Sequence, residues 1–377
     1  MKIKELAVNG LFSDGDWIES KDQDPEGDIR LIQLADIGDG YFVNKSNRFM
    51  NKKTAEKLKC TFLNKDDVLI ARMPDPIGRA CLFPFNESGK YVTVVDVGIL
   101  RITDKYDSNY VMYGINSPLI RRQIEGQVTG TTRLRITKKK LGELEIPLPP
   151  LVQQKKIAAV LDAADAYRQK TKALIEKYDE LTQSLFLDMF GDPVTNPKLW
   201  EKIEFSNVAI NMNSKRIPIK QADREQMQGD YPYYGATGIV DYINDFKFDG
   251  EFLLIAEDGK NLVNRKKPIA WTVNGQFWVN NHSHVVKYNG VSNLTFLAFQ
   301  LNRTNISQYV TGIDQFKMNK SNLNRIPIST PPLTLQNQFA ERVQAIEAQK
   351  AQAQASLAQA DHLFSSLLQR AFKGELV

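Results

Sequence analysis

Ile146-Pro147-Leu148-Pro149-Pro150-Leu151-Val152-Gln153-Gln154 returns in outline as Ile328-Ser329-Thr330-Pro331-Pro332-Leu333-Thr334-Leu335-Gln336. The offset is 182 residues (Pro149 to Pro331), and the match continues without a gap on either side. Upstream, Val128-Thr129-Gly130 falls on Val310-Thr311-Gly312 and Leu141 on Leu323; downstream, Ala158 meets Ala340, Ser184-Leu185 meets Ser366-Leu367, and Phe190 meets Phe372. A repeat made of a sheet-like end, a Pro-Pro hinge and a long helix implies two similar modules related by approximate two-fold symmetry. Duplex DNA has the same local symmetry, so this organisation fits a reader of two separated sites.

The bulk composition permits that reading without forcing it. A chain of 377 residues with 42% hydrophobic content has room for two or three domains with ordinary cores. A net charge of +5 and a pI near 8.9 are mildly basic, and clustering matters more than the total. Cys60 and Cys81 are the only cysteines, a pattern of reducing compartments. There is no apolar run of membrane-spanning length, and the start Met1-Lys2-Ile3-Lys4-Glu5 has no signal-peptide core. A soluble cytoplasmic protein is expected.

Along the chain, residues 1–150 alternate short apolar runs, such as Val68-Leu69-Ile70-Ala71, with Gly, Pro, Asn and Asp punctuation, and read as a strand-rich domain. Tyr110 to Ile124 reads as a helix within it. Residues 151–192 switch to helical periodicity: Ile157, Val160, Ala164, Tyr167, Leu174, Tyr178, Leu181 and Leu185 follow three-and-four spacing. Some 33 helical residues at about 1.5 Å each make a rod of roughly 50 Å. Residues 193–332 form a second strand-rich domain, and residues 333–377 a second long helix with a seam of Phe339, Val343, Ile346, Ala353, Leu357, Ala360, Phe364, Leu367 and Ala371. Each amphipathic helix needs a partner, and mutual antiparallel packing is the economical solution. The expected fold class is therefore α+β: two strand-rich domains separated by two long helices packed as an antiparallel coiled coil, with pseudo-two-fold symmetry.

Two helical stretches carry a specific resemblance. Ile146 to Gln154, followed by Gln183-Ser184-Leu185-Phe186-Leu187-Asp188-Met189-Phe190-Gly191-Asp192-Pro193, resembles the central conserved region of type I restriction–modification specificity subunits. Leu363 to Leu376 resembles their C-terminal region, and Tyr234-Gly235-Ala236-Thr237-Gly238, Glu257-Asp258-Gly259 and Asn281-His282 resemble one class of their target-recognition domains. The resemblance covers essentially the whole chain. It implies a DNA-specificity subunit that does no chemistry, binds no cofactor or metal, and reads a split, asymmetric site with one domain per half. It further implies that the helices set the unread spacing and dock two modification subunits, which bind S-adenosylmethionine and methylate adenine N6. Two restriction subunits, driven by ATP with Mg²⁺, complete such a nuclease. Leu151, Ile157, Leu185, Phe190, Phe339, Leu367 and Phe372 are the candidate docking positions on the helices.

Comparison of the halves locates candidate DNA contacts. Thr131-Thr132-Arg133-Leu134-Arg135 corresponds to Ile313-Asp314-Gln315-Phe316-Lys317, and alternation puts Arg133 with Arg135, and Gln315 with Lys317, on one face. Arginine suits guanine O6/N7 and glutamine suits adenine N6/N7. Leu69-Ile70-Ala71-Arg72 resembles Leu254-Ile255-Ala256-Glu257, after which the sequences diverge. Similar strands leading to dissimilar tips suit modules reading different sequences, and Arg72, Arg79, Lys260, Asn261, Asn264 and Arg265 are candidates there. Lys138, Lys215 and Arg216 lie in basic clusters suited to phosphate, which supplies affinity without sequence information. For each of these the bland alternative is a solvated face. Tyr233, Tyr234 and Trp278 read as core rather than stacking platforms.

Catalytic patterns are weak or missing. Asp249, Asp258 and Lys260 loosely match an acid, acid-x-Lys arrangement that holds Mg²⁺ beside a hydrolytic water, a short and common pattern. His282 and His284 read as structural histidines. Asn-Pro-Pro-aromatic, Gly-rich S-adenosylmethionine and Walker A motifs are not found. A Mg²⁺ nuclease and a protein scaffold without a DNA role are the rival readings.

Overall fold

The computed structural model describes residues 1–73, 76–128, 130 and 134–376. They fall into two compact units, Met1–Lys172 with Ala355–Val377, and Ala173–Gln354. No helix among the described residues is long and apolar enough to cross a membrane.

The first unit contains β1 (Ala7–Asp14), β2 (Ile29–Ile32), β3 (Phe49–Met50), β4 (Val68–Ala71), β5 (Ala80–Leu82), β6 (Tyr91–Thr93) and β7 (Val97–Ile102). Its main sheet runs β1-β7-β4-β5, antiparallel throughout. The unbroken apolar run of β4 has a direct cause: Val68 and Ile70 face one hydrophobic cluster, Leu69 and Ala71 another. A smaller sheet, β3-β2-β6, has a parallel β2–β6 pair. Cys60 and Cys81 are buried in separate clusters, and burial pushes both thiols up to about 12.

The second unit contains β8 (Lys202–Glu204), β9 (Ala209–Asn211), β10 (Gln228–Gly235), β11 (Gly238–Ile243), β12 (Phe248–Asp249), β13 (Phe252–Ala256), β14 (Ala270–Val273), β15 (Gln276–Val279), β16 (Ser283–Tyr288) and β17 (Pro327–Ser329). Its antiparallel sheet, β9-β16-β13-β14, repeats the connectivity of β1-β7-β4-β5. The parallel pair β2–β6 recurs as β10–β15. Where Ile3 N donates to Leu144 O at 3.0 Å, Phe205 N donates to Ile326 O at 2.9 Å. The duplication read in the sequence is thus a duplication of strand order.

The central helix spans Leu151–Phe190 and the C-terminal helix Leu333–Lys373, 40 and 41 residues. Each starts after a Pro-Pro pair and is followed by a glycine in the left-handed region, Gly191 (φ +78°) and Gly374 (φ +80°), where a side chain would strain the turn. Within each unit the two helices run antiparallel. In the first, Ile157 and Leu161 share a core with Leu368 and Phe372, and Arg168 Nε donates to Asp361 Oδ1 at 2.7 Å. In the second, Phe186 meets Phe339 at 5.5 Å between ring centroids, and Lys350 pairs with Asp179.

Two sequence expectations need correction. The expected helix over Tyr110–Ile124 is two helices, Ser108–Asn116 and Pro118–Glu125: Ser117 precedes a proline, leaves the helical region and caps the second helix. Past Ile157, which is buried as expected, the seam of the central helix also lies one position off. Val160, Tyr167, Leu174 and Leu181 are exposed, while Ile157, Leu161, Thr171, Thr182 and Phe186 are buried. The sequence carries two adjacent stripes, and a single partner helix buries only one; of the other it meets Tyr167, whose hydroxyl lies 2.7 Å from Ser356 Oγ.

Each domain joins the helices through the same contacts. Gln154 accepts from Asp107 N (3.1 Å) and donates to Pro149 O (2.7 Å); Gln336 accepts from Asn293 N (2.9 Å) and donates to Pro331 O (2.8 Å). Phe372 packs on Tyr110 at 4.9 Å, as Phe190 packs on Phe296 at 4.7 Å.

Candidate nucleic-acid interface

In the second unit, β13 ends at Ala256 and the chain turns through Glu257-Asp258-Gly259 against the loop before Met318. Gly259 N donates to Phe316 O (2.9 Å), Met318 N to Glu257 O (2.7 Å), and Thr311 and Lys317 exchange backbone bonds at 2.8 Å. The Glu257 carboxylate lies 2.8 Å from Arg216 Nη1 and 3.4 Å from Lys317 Nζ. Burial pushes this carboxyl up, but the Arg216 hydrogen bond and the nearby His284 and Lys317 outweigh it and hold the group below its ordinary value. His284 is fully buried: Nε2 donates to Met318 O at 2.7 Å, so Nδ1 accepts from Asn213 Nδ2 at 2.7 Å. Burial holds the imidazole below its usual pKa, despite the bond to Met318 O and the charge of Glu257.

The structure therefore gathers Arg216, Lys260, Asn261, Gln315 and Lys317 about one end of the β9-β16-β13-β14 sheet. Lys215, Lys260, Asn264, Gln315 and Lys317 are exposed. Ile313, at the crown of the loop, is 89% exposed. Asn261 is engaged locally, its amide bonded to Lys267 N and O at 3.0 and 2.9 Å. Arg265, itself at φ +50°, donates to Leu301 O and Thr304 O at the end of the Leu294–Arg303 helix. Its guanidinium is thus committed to a helix end.

The equivalent end of the first unit is built with charges exchanged. Arg72, at the position of Glu257, is fully buried, 2.9 Å from Asp14 and 3.2 Å from Asp96. Ile136 N donates to Arg72 O (3.2 Å), as Met318 N does to Glu257 O. Arg135 reaches Asp96 at 2.7 Å and is half-exposed. Burial lowers the Arg72 pKa, and the guanidinium faces inward, so it has no face for DNA. Arg79 is likewise spent inside, on Ile37 O (2.7 Å) and Leu34 O (3.0 Å). Lys138 is half-buried at the start of the short helix Lys138–Gly142. Arg133 lies outside the described residues.

Of the helix positions expected to dock partners, Ile157, Phe190, Phe339 and Phe372 are buried in the chain's own cores, while Leu151, Leu185 and Leu367 are half-buried. Tyr233 and Trp278 share a buried cluster. The nuclease pattern does not assemble: Asp249 precedes β13 and bonds Gln276, whereas Asp258 follows β13 and bonds His282 at 2.6 Å. Among the described residues no three His, Cys, Asp or Glu side chains converge as metal ligands. The residues that sequence reasoning missed are Asp14, Asp96 and Asn213, while His284 is the buried, hydrogen-bonded structural histidine expected. Only the Arg72-to-Glu257 exchange signalled that a charged node sits there.

The family model of the type I restriction modification DNA specificity domain matches residues 1–178 and again 197–359. The chain belongs to this family. A Haemophilus influenzae (strain ATCC 51907 / DSM 11121 / KW20 / Rd) protein described as a type I restriction enzyme specificity subunit, S.HindORF215P, is 38% identical over 149 residues, 40% of this chain. That alignment spans 37% of the relative's length. The crystal structure of the type I restriction-modification system S subunit from M. genitalium superposes with a TM-score of 0.63 at 17% identity, covering 99% of this chain and 95% of that one. A chain from a study of complex assembly and conformational transition of the type I R-M system gives 0.59 at 15% identity, covering 100% and 97%. These two structures share the fold, and the family places DNA specificity in both units.

Proposed function

We propose that this chain is the non-catalytic specificity subunit of a type I restriction–modification complex, reading a bipartite, asymmetric duplex site with one strand-rich domain (1–150 and 193–332) per half. The observation that carries this reading is one strand order used twice, each time ending in different residues, Arg72 and Arg135 in one unit and Glu257 and Lys317 in the other. In the second unit Gln315 and Ile313 suit base edges and the thymine methyl, while Lys215 and Lys260 suit phosphate. In the first, Lys138 suits phosphate in the same way.

The helical segments (151–192 and 333–377) fix the unread spacer and dock two modification subunits. The exposed stripe Val160, Tyr167, Leu174 and Leu181 repeats every seven residues and offers an apolar face on the central helix. S-adenosylmethionine belongs on the modification subunits, and ATP and Mg²⁺ on two restriction subunits. The whole assembly works on cytoplasmic DNA.

The test is a map of methylated adenines in cells carrying the chain and its modification partner. One bipartite motif, lost when the chain is deleted, is expected. Methylation that survives the deletion unchanged overturns the reading.

A further inference from the structure

Arg135 and Lys317 are equivalent in the repeat, 182 residues apart, and each is a loop cation bound to an acid, Asp96 at 2.7 Å and Glu257 at 3.4 Å. The acids are not equivalent. Asp96 lies in the turn before β7, and Glu257 at the end of β13. A second cation completes each row: Arg72 beyond Asp96 at 3.2 Å, and Arg216 beyond Glu257 at 2.8 Å. One arrangement, cation–acid–cation, is thus built twice from different residues, while the backbone bond into the loop (Ile136 N to Arg72 O, Met318 N to Glu257 O) stays in place.

Partly buried ion rows are poor devices for stability alone, because well-packed apolar groups serve as well or better. Their use is geometric: they fix where a loop sits. We propose that Glu257 is a positioning residue for DNA reading, anchoring through Lys317 the loop 311–318 that carries Ile313 and Gln315, and that Asp96 positions Arg135 in the other unit. This rests on the function proposed above. A held loop has its ordering entropy removed before DNA arrives, and the gain appears as discrimination between sequences.

The experiment uses the full chain assembled with its modification subunits, carrying Asp96→Asn, Glu257→Gln or Lys317→Gln. Binding is competed with duplexes altered in one half-site at a time, and amide exchange is followed across residues 311–318. Glu257→Gln lowers discrimination in one half by about tenfold, the scale of one lost base contact, and leaves the other half intact. Lys317→Gln, at an exposed position, does the same without disturbing the core. Asp96→Asn does so for the other half. Exchange at 311–318 rises in Glu257→Gln while β13 and β16 stay protected. Discrimination retained in the affected half, or lost equally in both with exchange rising throughout, overturns the inference. A wild-type complex that discriminates neither half defeats the functional reading instead, and the exchange measurement still shows whether the loop is tethered.

Discussion

His284 gives the second unit a pH dependence with a definite sign. Burial holds its folded-state pKa below the ordinary value near 6.5, so the unfolded chain takes the proton first. The contribution of neutral His284 is complete above about pH 6.5 and is lost as pH falls through the folded value. Glu257, also held low, loses its contribution only in a more acidic range. Calorimetric melts should show the second unit less stable at pH 5.5 than at pH 7.5, with a slope of at most about 1.4 kcal/mol per pH unit for one proton. His284→Asn should flatten that slope; a slope unchanged by the substitution assigns it to another group. Ile313 is a second residue-scale case, since an 89% exposed side chain at a loop crown does nothing for the core. Ile313→Ser should leave the melting temperature unchanged and weaken duplex binding about fivefold or more; equal affinity of both proteins removes Ile313 from the interface. The sequence showed that arginines lie near both tips but not which way they face. Arg79 is held by carbonyls more than forty positions earlier, and Arg265 by carbonyls near residues 301–304. Such partners leave no local pattern.

At the level of elements the repeat was legible because it is covalent, and its deeper content lies in what the repeated residues hold. Gln154 and Gln336 stood out only as matches; each proves to clip a domain helix to the start of a long helix. Gln336→Ala leaves the Asn293 N–H and Pro331 C=O without that partner inside a closed joint, and should cost about 1–3 kcal/mol in denaturant unfolding; a cost near zero would mean water replaces the amide. The strand runs were readable because β4 and β13 are apolar on both faces. The helix seam was not, since two stripes one position apart satisfy the same spacing and only tertiary packing chooses between them. The stripe left exposed, Val160, Leu174 and Leu181 with the ring of Tyr167, supplies a separate test. Leu174→Glu with Leu181→Glu changes exposed positions only and should leave unfolding within about 0.5 kcal/mol of the parent. It should, however, abolish co-purification of the modification subunits. Full assembly by this variant moves the docking face elsewhere.

At the scale of the whole chain, both long helices cross the unit boundary, at Lys172–Ala173 in one and Gln354–Ala355 in the other. If they set the spacing of a bipartite site, an insertion made there in both helices should act on the spacer alone. Seven residues are the natural increment: they add about 10 Å of rise and turn each face by only about 20°, so the buried seam is restored beyond the insertion. At about 3.4 Å per base pair the methylated motif should keep both halves and gain about three unread positions. Four residues add about 6 Å but rotate the seam by about 40°, so such a chain should assemble poorly even where its spacer grows. Insertion into one helix only leaves the other too short and should abolish assembly. Adenine mapping reads all three outcomes, and a spacer unchanged by the paired seven-residue insertion would remove the helices as the spacing element while leaving each domain's half-site reading intact.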